Sequence, residues 1–242
     1  MKDNKKILYP VYDYGELNVT ISKQNKKLGN IPAFNTLAGN RLLTLSNGTI
    51  LTNIVGTCGK HCKECFHDCY AVRQITYHHN SCVRAYAANT IIMRHDPDKL
   101  RKAIKEYCDK NIVKYFRFHT SGELESLQQF FSYCKICLEN PDVIFYIYTK
   151  AFDILEKYLD LEKDFPENLV INLSEWHGNI EGLPHGILSR CNIFSYDDGD
   201  SEFAAKQEHC PAVDKKGHET GITCAECRRC MKKGNITAVY AH

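Results

Sequence analysis

Lys114-Tyr-Phe-Arg-Phe-His-Thr120 and Val143-Ile-Phe-Tyr-Ile-Tyr-Thr149 are the stretches whose reading decides the fold. Each is a short run dense in aromatic and β-branched residues, closed by a polar residue, and reads as a buried strand. Residues 124–138 between them repeat their apolar positions at helical spacing and read as an amphipathic helix. The alternation continues with a helix over 152–161, the strand Leu169-Val-Ile-Asn-Leu-Ser174 and a shorter strand Asn192-Ile-Phe-Ser-Tyr196. Strands alternating with helices predict an α/β fold, either a parallel sheet with covering helices or a partial (β/α) barrel. In such folds functional groups stand just after the strands' carboxyl ends. Here those positions hold Ser121-Gly122-Glu123, Thr149-Lys150, Ser174-Glu175-Trp176-His177 and Asp197-Asp198, polar as the rim of a pocket would be. Ser121 and Glu123 also suit the simpler role of capping the helix that follows.

Towards the N-terminus the chain is richer in β-formers. Residues 7–22 alternate and predict a short strand or hairpin pair with Pro10 at an edge, and 25–30 predict a turn. Leu42-Leu-Thr-Leu45 and Thr49-Ile-Leu-Thr52 flank Asn47-Gly48, a strong hairpin signal. Ser81 suits the start of a helix over 82–93, and Asp96-Pro97 the start of another reaching residue 107. Three regions follow: an N-terminal β-rich segment with hairpins (1–56), an α/β core (57–205) and a cysteine-rich metal-binding extension (206–242).

The cysteines carry the chemistry. Of thirteen, Cys58, Cys62, Cys65 and Cys69 fall within twelve residues, close enough to converge on one metal centre from a single loop. Zinc favours separated pairs, and Cys62 with Cys65 would make one; the triple Cys58, Cys62, Cys65 suits three irons of a four-iron, four-sulfur (4Fe-4S) cluster. A second group comprises Cys210, Cys224, Cys227 and Cys230, whose even triple leans towards a second iron–sulfur cluster, with zinc the alternative. Cys82, Cys108, Cys134, Cys137 and Cys191 sit among apolar or helical neighbours and read as small hydrophobes. The formal net charge of +2 gives no electrostatic argument for nucleic acid or membrane. No apolar run is long enough to span a bilayer and Met1-Lys-Asp-Asn-Lys-Lys6 leads into no signal core, so a cytoplasmic setting is expected, where clustered cysteines mean metal rather than disulfides.

Asn25-Lys-Lys-Leu-Gly29, Ile31-Pro-Ala-Phe-Asn35, Ala38-Gly39, Thr57-Cys58, Cys65, Cys69-Tyr70-Ala71, Arg117-Phe-His-Thr-Ser-Gly-Glu123, Phe145-Tyr-Ile-Tyr-Thr-Lys150, Cys210-Pro211, Cys224-Ala-Glu-Cys227 and His242 occur in this order along the chain. In that order they resemble the phage "gene product eighty-eight" family. The resemblance implies no established activity, and leaves open whether Cys62 or Cys69 completes the first ligand set. A more distant similarity, to radical S-adenosylmethionine enzymes, implies a small-molecule cofactor. In those enzymes a cluster loop follows the first barrel strand, and a Gly-Gly-Glu stretch ending the second contacts the cofactor's amino group. Ser121-Gly122-Glu123 takes that place here, with Lys150 and Glu175 as further cofactor contacts and His177 and Asp197 as candidates. The rival expectation is a zinc protein whose basic residues Arg228-Arg229 and Lys232-Lys233 meet nucleic acid or a protein partner. No phosphate-binding glycine loop, nuclease carboxylate cluster or nucleophile motif accompanies either reading, and no substrate is named.

Overall fold

The computed structural model describes residues 17–23, 26–39, 42–43, 54–59, 65, 69–77 and 81–240. The strands among the described residues are β1 (Ile21–Ser22), β2 (Ala33–Phe34), β3 (Leu42–Leu43), β4 (Ile54–Val55), β5 (Tyr115–Phe118), β6 (Ile144–Thr149), β7 (Leu169–Glu175), β8 (Asn192–Asp197) and β9 (Ile236–Tyr240). The helices are α1 (Tyr70–Tyr77), α2 (Ser81–His95), α3 (Pro97–Asn111), α4 (Leu127–Glu139), α5 (Phe152–Leu161) and three single turns: α6 (His185–Leu188), α7 (Glu202–Ala205) and α8 (Cys224–Cys227).

Seven strands form one sheet in the order β1-β2-β5-β6-β7-β8-β9, antiparallel only at β1. From β2 onwards the strands of this sheet follow one another in chain order, with β3 and β4 paired apart from it, so the order never reverses. Right-handed crossovers then put the long connecting helices on the same side. That side is where α2 to α5 pack, on Phe34, Phe116, Phe118, Phe145, Ile147, Leu169 and Ile171. Phe130, Tyr133, Ile136 and Cys137 of α4 are fully shielded there; each large apolar side chain so buried contributes roughly 1.5–3 kcal/mol. The opposite face carries Arg117, Tyr146, Tyr148 and Val170 by strand alternation, and a smaller cluster with Leu28, Ile31 and Met231 covers part of it.

The legible elements match closely, and α5 spans 152–161 as its periodicity predicts. Asp96 accepts from Lys99 N at 3.0 Å and Pro97 opens α3, which runs to Asn111 and stops at Ile112 in a left-handed conformation. Helix α4 is capped by Ser126, 3.1 Å from Gln129 N, so Ser121 and Glu123 are not its caps. In the N-terminal region the described residues show two short antiparallel pairings, β1 with β2 and β3 with β4. Pro10, Asn47-Gly48 and the strand expected at 49–52 lie outside the described residues. The expected C-terminal extension does not stay apart: Thr237, Ala238 and Val239 are buried, and β9 completes the sheet beside β8. Cys108, Cys134, Cys137 and Cys191 are buried as expected and Cys82 is partly so. Among the described residues no helix is long and apolar enough to cross a membrane.

Candidate functional site

Three segments are tied together at the carboxyl ends of β2 and β5. Asn35 Oδ1 accepts from Thr120 N (2.7 Å), Thr120 Oγ1 (2.7 Å) and Ser121 N (3.2 Å), while its amide donates to Ser22 Oγ (3.0 Å). Ser121 Oγ donates to Thr36 O at 2.9 Å, and the Thr36 and Thr57 hydroxyls meet at 3.0 Å. Thr57 Oγ1 accepts from Glu123 N at 2.9 Å, and Cys58 N donates to Gly39 O at 2.9 Å. Gly122 sits inside this knot at φ +92°, where an added Cβ would fall 1.9 Å from Thr36 Oγ1. Only glycine fits that backbone and that space.

Cys58 therefore stands on a rigid base, next to the Glu123 carboxylate. Burial first, then the charge of Glu123 and of Cys69 and Cys65, push its thiol up to about 12, against a hydrogen bond from the Gly39 backbone. Cys58 and Cys69 pack on one cluster with Leu37, Ala71 and Val83. Cys62 lies outside the described residues. Glu123 Oε1 accepts from Thr149 Oγ1 (2.6 Å) and Leu124 N (2.7 Å), and among the described residues Oε2 accepts from Lys150 N alone (2.9 Å). Burial raises its pKa, and these donors oppose the rise. One lone pair on Oε2 stays open to a further donor.

The second cysteine group is assembled from both ends of its segment. Cys210 N donates to Ala238 O at 2.7 Å, which fixes Cys210 beside β9. Thr223 and Glu226 form a capping box that starts α8, so Cys224 and Cys227 share one helical turn before Arg228 reverses the chain at φ +56°. Arg229 donates to His209 O at 3.1 Å and pairs with Glu208, closing the loop onto Cys210. Gly29, at φ +64°, lets the 26–30 turn approach Thr223, whose Oγ1 would stand 2.6 Å from a Cβ there. Asn172 Nδ2 donates to Cys230 O at 3.0 Å, which presses the group against the sheet's open face. Burial raises the Cys230 thiol to about 11, with Cys210, Cys224 and Cys227 adding to the rise and a hydrogen bond with Tyr148 opposing it.

No disulfide joins the described cysteines, and among the described residues no three His, Cys, Asp or Glu side chains are gathered closely enough to hold a metal ion. The donor chemistry still suits a thiophilic metal. Thiols held near enough to raise one another's pKa are groups that a soft cation neutralises, and both cysteine groups have that property.

The other rim residues divide. Ser121, Gly122, Glu123 and Lys150 gather beside Cys58. Glu175 is buried on the helix-covered side, bound by Ser195 Oγ and by Gly178 N at 2.8 Å. Asp197 pairs with His209 at 2.7 Å, and that ring stacks on Tyr240 at 3.9 Å. His177, at φ +51°, stands 3.4 Å from Asp198.

The motifs that build this base, from Lys26-Lys-Leu-Gly29 through Cys224-Ala-Glu-Cys227, lie within one family match, to Gene product 88 over residues 18–233. The chain belongs to this family. No curated protein and no solved structure matches it. In this Gene product 88 protein the pattern has a physical reading: Asn35 ties the loops, Gly122 admits them, Gly29 seats Thr223, and Thr57 orients Glu123 below Cys58. Two residues between the cysteine groups escaped the sequence reading. The Tyr70 hydroxyl bonds the Thr120 carbonyl, and Arg117 lies 4.5 Å from the ring centre of Tyr148. The signal for Arg117 was a charge between the aromatic residues of an otherwise aromatic strand, Tyr115-Phe-Arg-Phe118.

Proposed function

We propose that this chain is an iron–sulfur protein of the radical S-adenosylmethionine type, with two clusters. Cys58, Cys65 and either Cys62 or Cys69 would hold a 4Fe-4S cluster, and Cys210, Cys224, Cys227 and Cys230 a second. The observation that carries the reading is the order of parts. Strands β2 and β5 to β9 lie parallel in chain order; the first cysteine loop follows β2, and Gly122-Glu123 follows β5. When bound, such a cluster supplies an electron to the sulfonium of S-adenosylmethionine, which starts radical chemistry.

The chain's own residues act by binding and exclusion. Glu123, fixed by Thr149, Lys150 N and Thr57, offers its remaining lone pair to an ammonium group. Lys150 offers a cation on the same rim. The hydrogen-bonded knot of Asn35, Thr36 and Ser121, all buried, with Gly122 packed into it, holds these loops in place.

Anaerobic purification with iron, sulfide and zinc analysis tests the reading. About eight irons per chain and a reduced cluster spectrum that changes on adding S-adenosylmethionine are expected. Cys62→Ser and Cys69→Ser then identify the third ligand, since one of them alone loses about four irons. A colourless protein with about two zinc ions overturns it and returns the partner-binding reading.

A further inference from the structure

The face of the sheet opposite the helices carries a guanidinium without a carboxylate and, among the described residues, two buried donors without an acceptor, the Tyr146 hydroxyl and the Trp176 indole N–H. Arg94, Arg101, Arg190 and Arg229 each meet a carboxylate, but Arg117 meets none among the described residues. Its Nε donates to His119 O at 3.2 Å and its guanidinium lies over Tyr148 and Tyr146, at 4.5 and 5.8 Å from their ring centres. Tyr146, the register partner of Arg117, is fully buried, and its hydroxyl faces the Arg117 guanidinium and finds no acceptor among the described residues. Lys150 stands on the same face four residues further along, ~13 Å away at about 3.3 Å per residue. Its Nζ lies 5.4 Å from the ring centre of Trp176, whose indole N–H is shielded and also unpartnered. The acceptors nearby are already used: Asn172 Oδ1 takes Asn192 Nδ2 at 3.1 Å, and Cys230 O takes Asn172 Nδ2.

Arg117 has no carboxylate opposite it among the described residues and has the Cys224 thiol within electrostatic reach; a partly buried guanidinium so placed is costly, and unpaired donors beside it are complementary to an oxyanion. We infer that the open face of the sheet, between Arg117 and Lys150, binds an elongated ligand bearing a carboxylate or phosphate. Arg117 and Tyr146 hold the oxyanion. Lys150 and Trp176 engage acceptors at the far end, and the Tyr148 ring lines the interval. The site is independent of which metal the cysteines carry.

Inorganic phosphate and citrate, titrated against the protein as purified at fixed ionic strength and followed by thermal shift and equilibrium dialysis, separate the two ligand classes. Saturable binding of one of them is expected, weakened at least about tenfold in Arg117→Gln, the loss of one charge-assisted contact. Binding is expected to weaken in Tyr146→Phe and to stay unchanged in Lys215→Gln, which lies in the hollow beside Asp197 and His209. If Arg117→Gln does not fold, Arg117→Lys and Tyr146→Phe carry the test, and wild-type affinity in both overturns the site. Absence of saturable binding by the wild type overturns it, as does an Arg117→Gln protein that loses metal but not anions, which would make Arg117 the counter-charge of Cys224. A zinc-loaded protein that binds phosphate or citrate through Arg117 refutes the radical reading and leaves this one standing.

Discussion

His119 sits where β5 breaks, at φ +59° and almost wholly buried. Its Nδ1 faces Ser121 O at 3.3 Å and so carries the proton; its Nε2 takes the Tyr133 hydroxyl at 2.9 Å. Burial pushes its pKa down to about 4, with the Arg117 charge helping and the Ser121 carbonyl opposing. Between pH 6.5 and 4 the unfolded chain binds a proton here that the folded chain refuses. The stabilisation is therefore complete above pH 6.5 and is lost as pH falls through that window, by about 3 kcal/mol. Urea midpoints across this range are expected to fall less steeply in His119→Asn, which keeps the left-handed backbone at low cost; an unchanged slope would show that the ring does not titrate so. Gly122 and Gly199 make a second pair at this scale, with φ of +92° and +96°. Gly199→Ala meets open space and should cost about 1 kcal/mol of strain, whereas Gly122→Ala also collides with Thr36 and should cost about 3 kcal/mol or more by urea unfolding.

Among the elements, helices with a full apolar stripe were legible in the sequence, and so were the aromatic strands β5 and β6. Of the two-residue strands, β1 and β3 fall within stretches that read as β-forming, whereas β2 and β4 were not legible, because their pairing is imposed by neighbours: Ala33 and Phe34 are strand only beside Arg117 and Phe118. Strand β9 was hidden by its five residues and by the cysteine loops before it. The cysteine groups were legible from spacing alone, whereas Arg117 became visible only once alternation put it opposite Phe116 and Phe118. Strand β9 also shields β8, whose Asn192 Oδ1 accepts from Asn235 N at 3.0 Å. Truncation after Gly234 removes the buried Ala238 and Val239 and should cost roughly 2–4 kcal/mol. Amide exchange should quicken along β8 far more than along β5; equal protection of both would mean that β9 is an ornament of the sheet rather than part of it.

At the scale of the molecule, a sheet laid down in chain order leaves one face to the helices and the other to the second cysteine group, while Cys58 and Cys69 stand beside α2. Cys69, before α1, and Cys224, in α8, are 155 residues apart (224 − 69), yet Tyr70 stands within electrostatic reach of both. The helix face collects the remaining thiols, and burial pushes Cys108, Cys134 and Cys191 up to about 12. Two populations of cysteine should therefore be separable by reactivity, since the thiolate is the reacting form. In chelator-treated, folded protein, alkylation read by mass spectrometry should reach Cys210 and Cys227 within the native state. Cys134, Cys137 and Cys191 should be labelled only at the rate of global unfolding, and that rate should follow urea stability. Reloading metal should protect the first group and leave the second unchanged. Protection of Cys134 and Cys137 by metal would instead make their Cys-x2-Cys spacing a knuckle, and α4 would have to leave the core to form it.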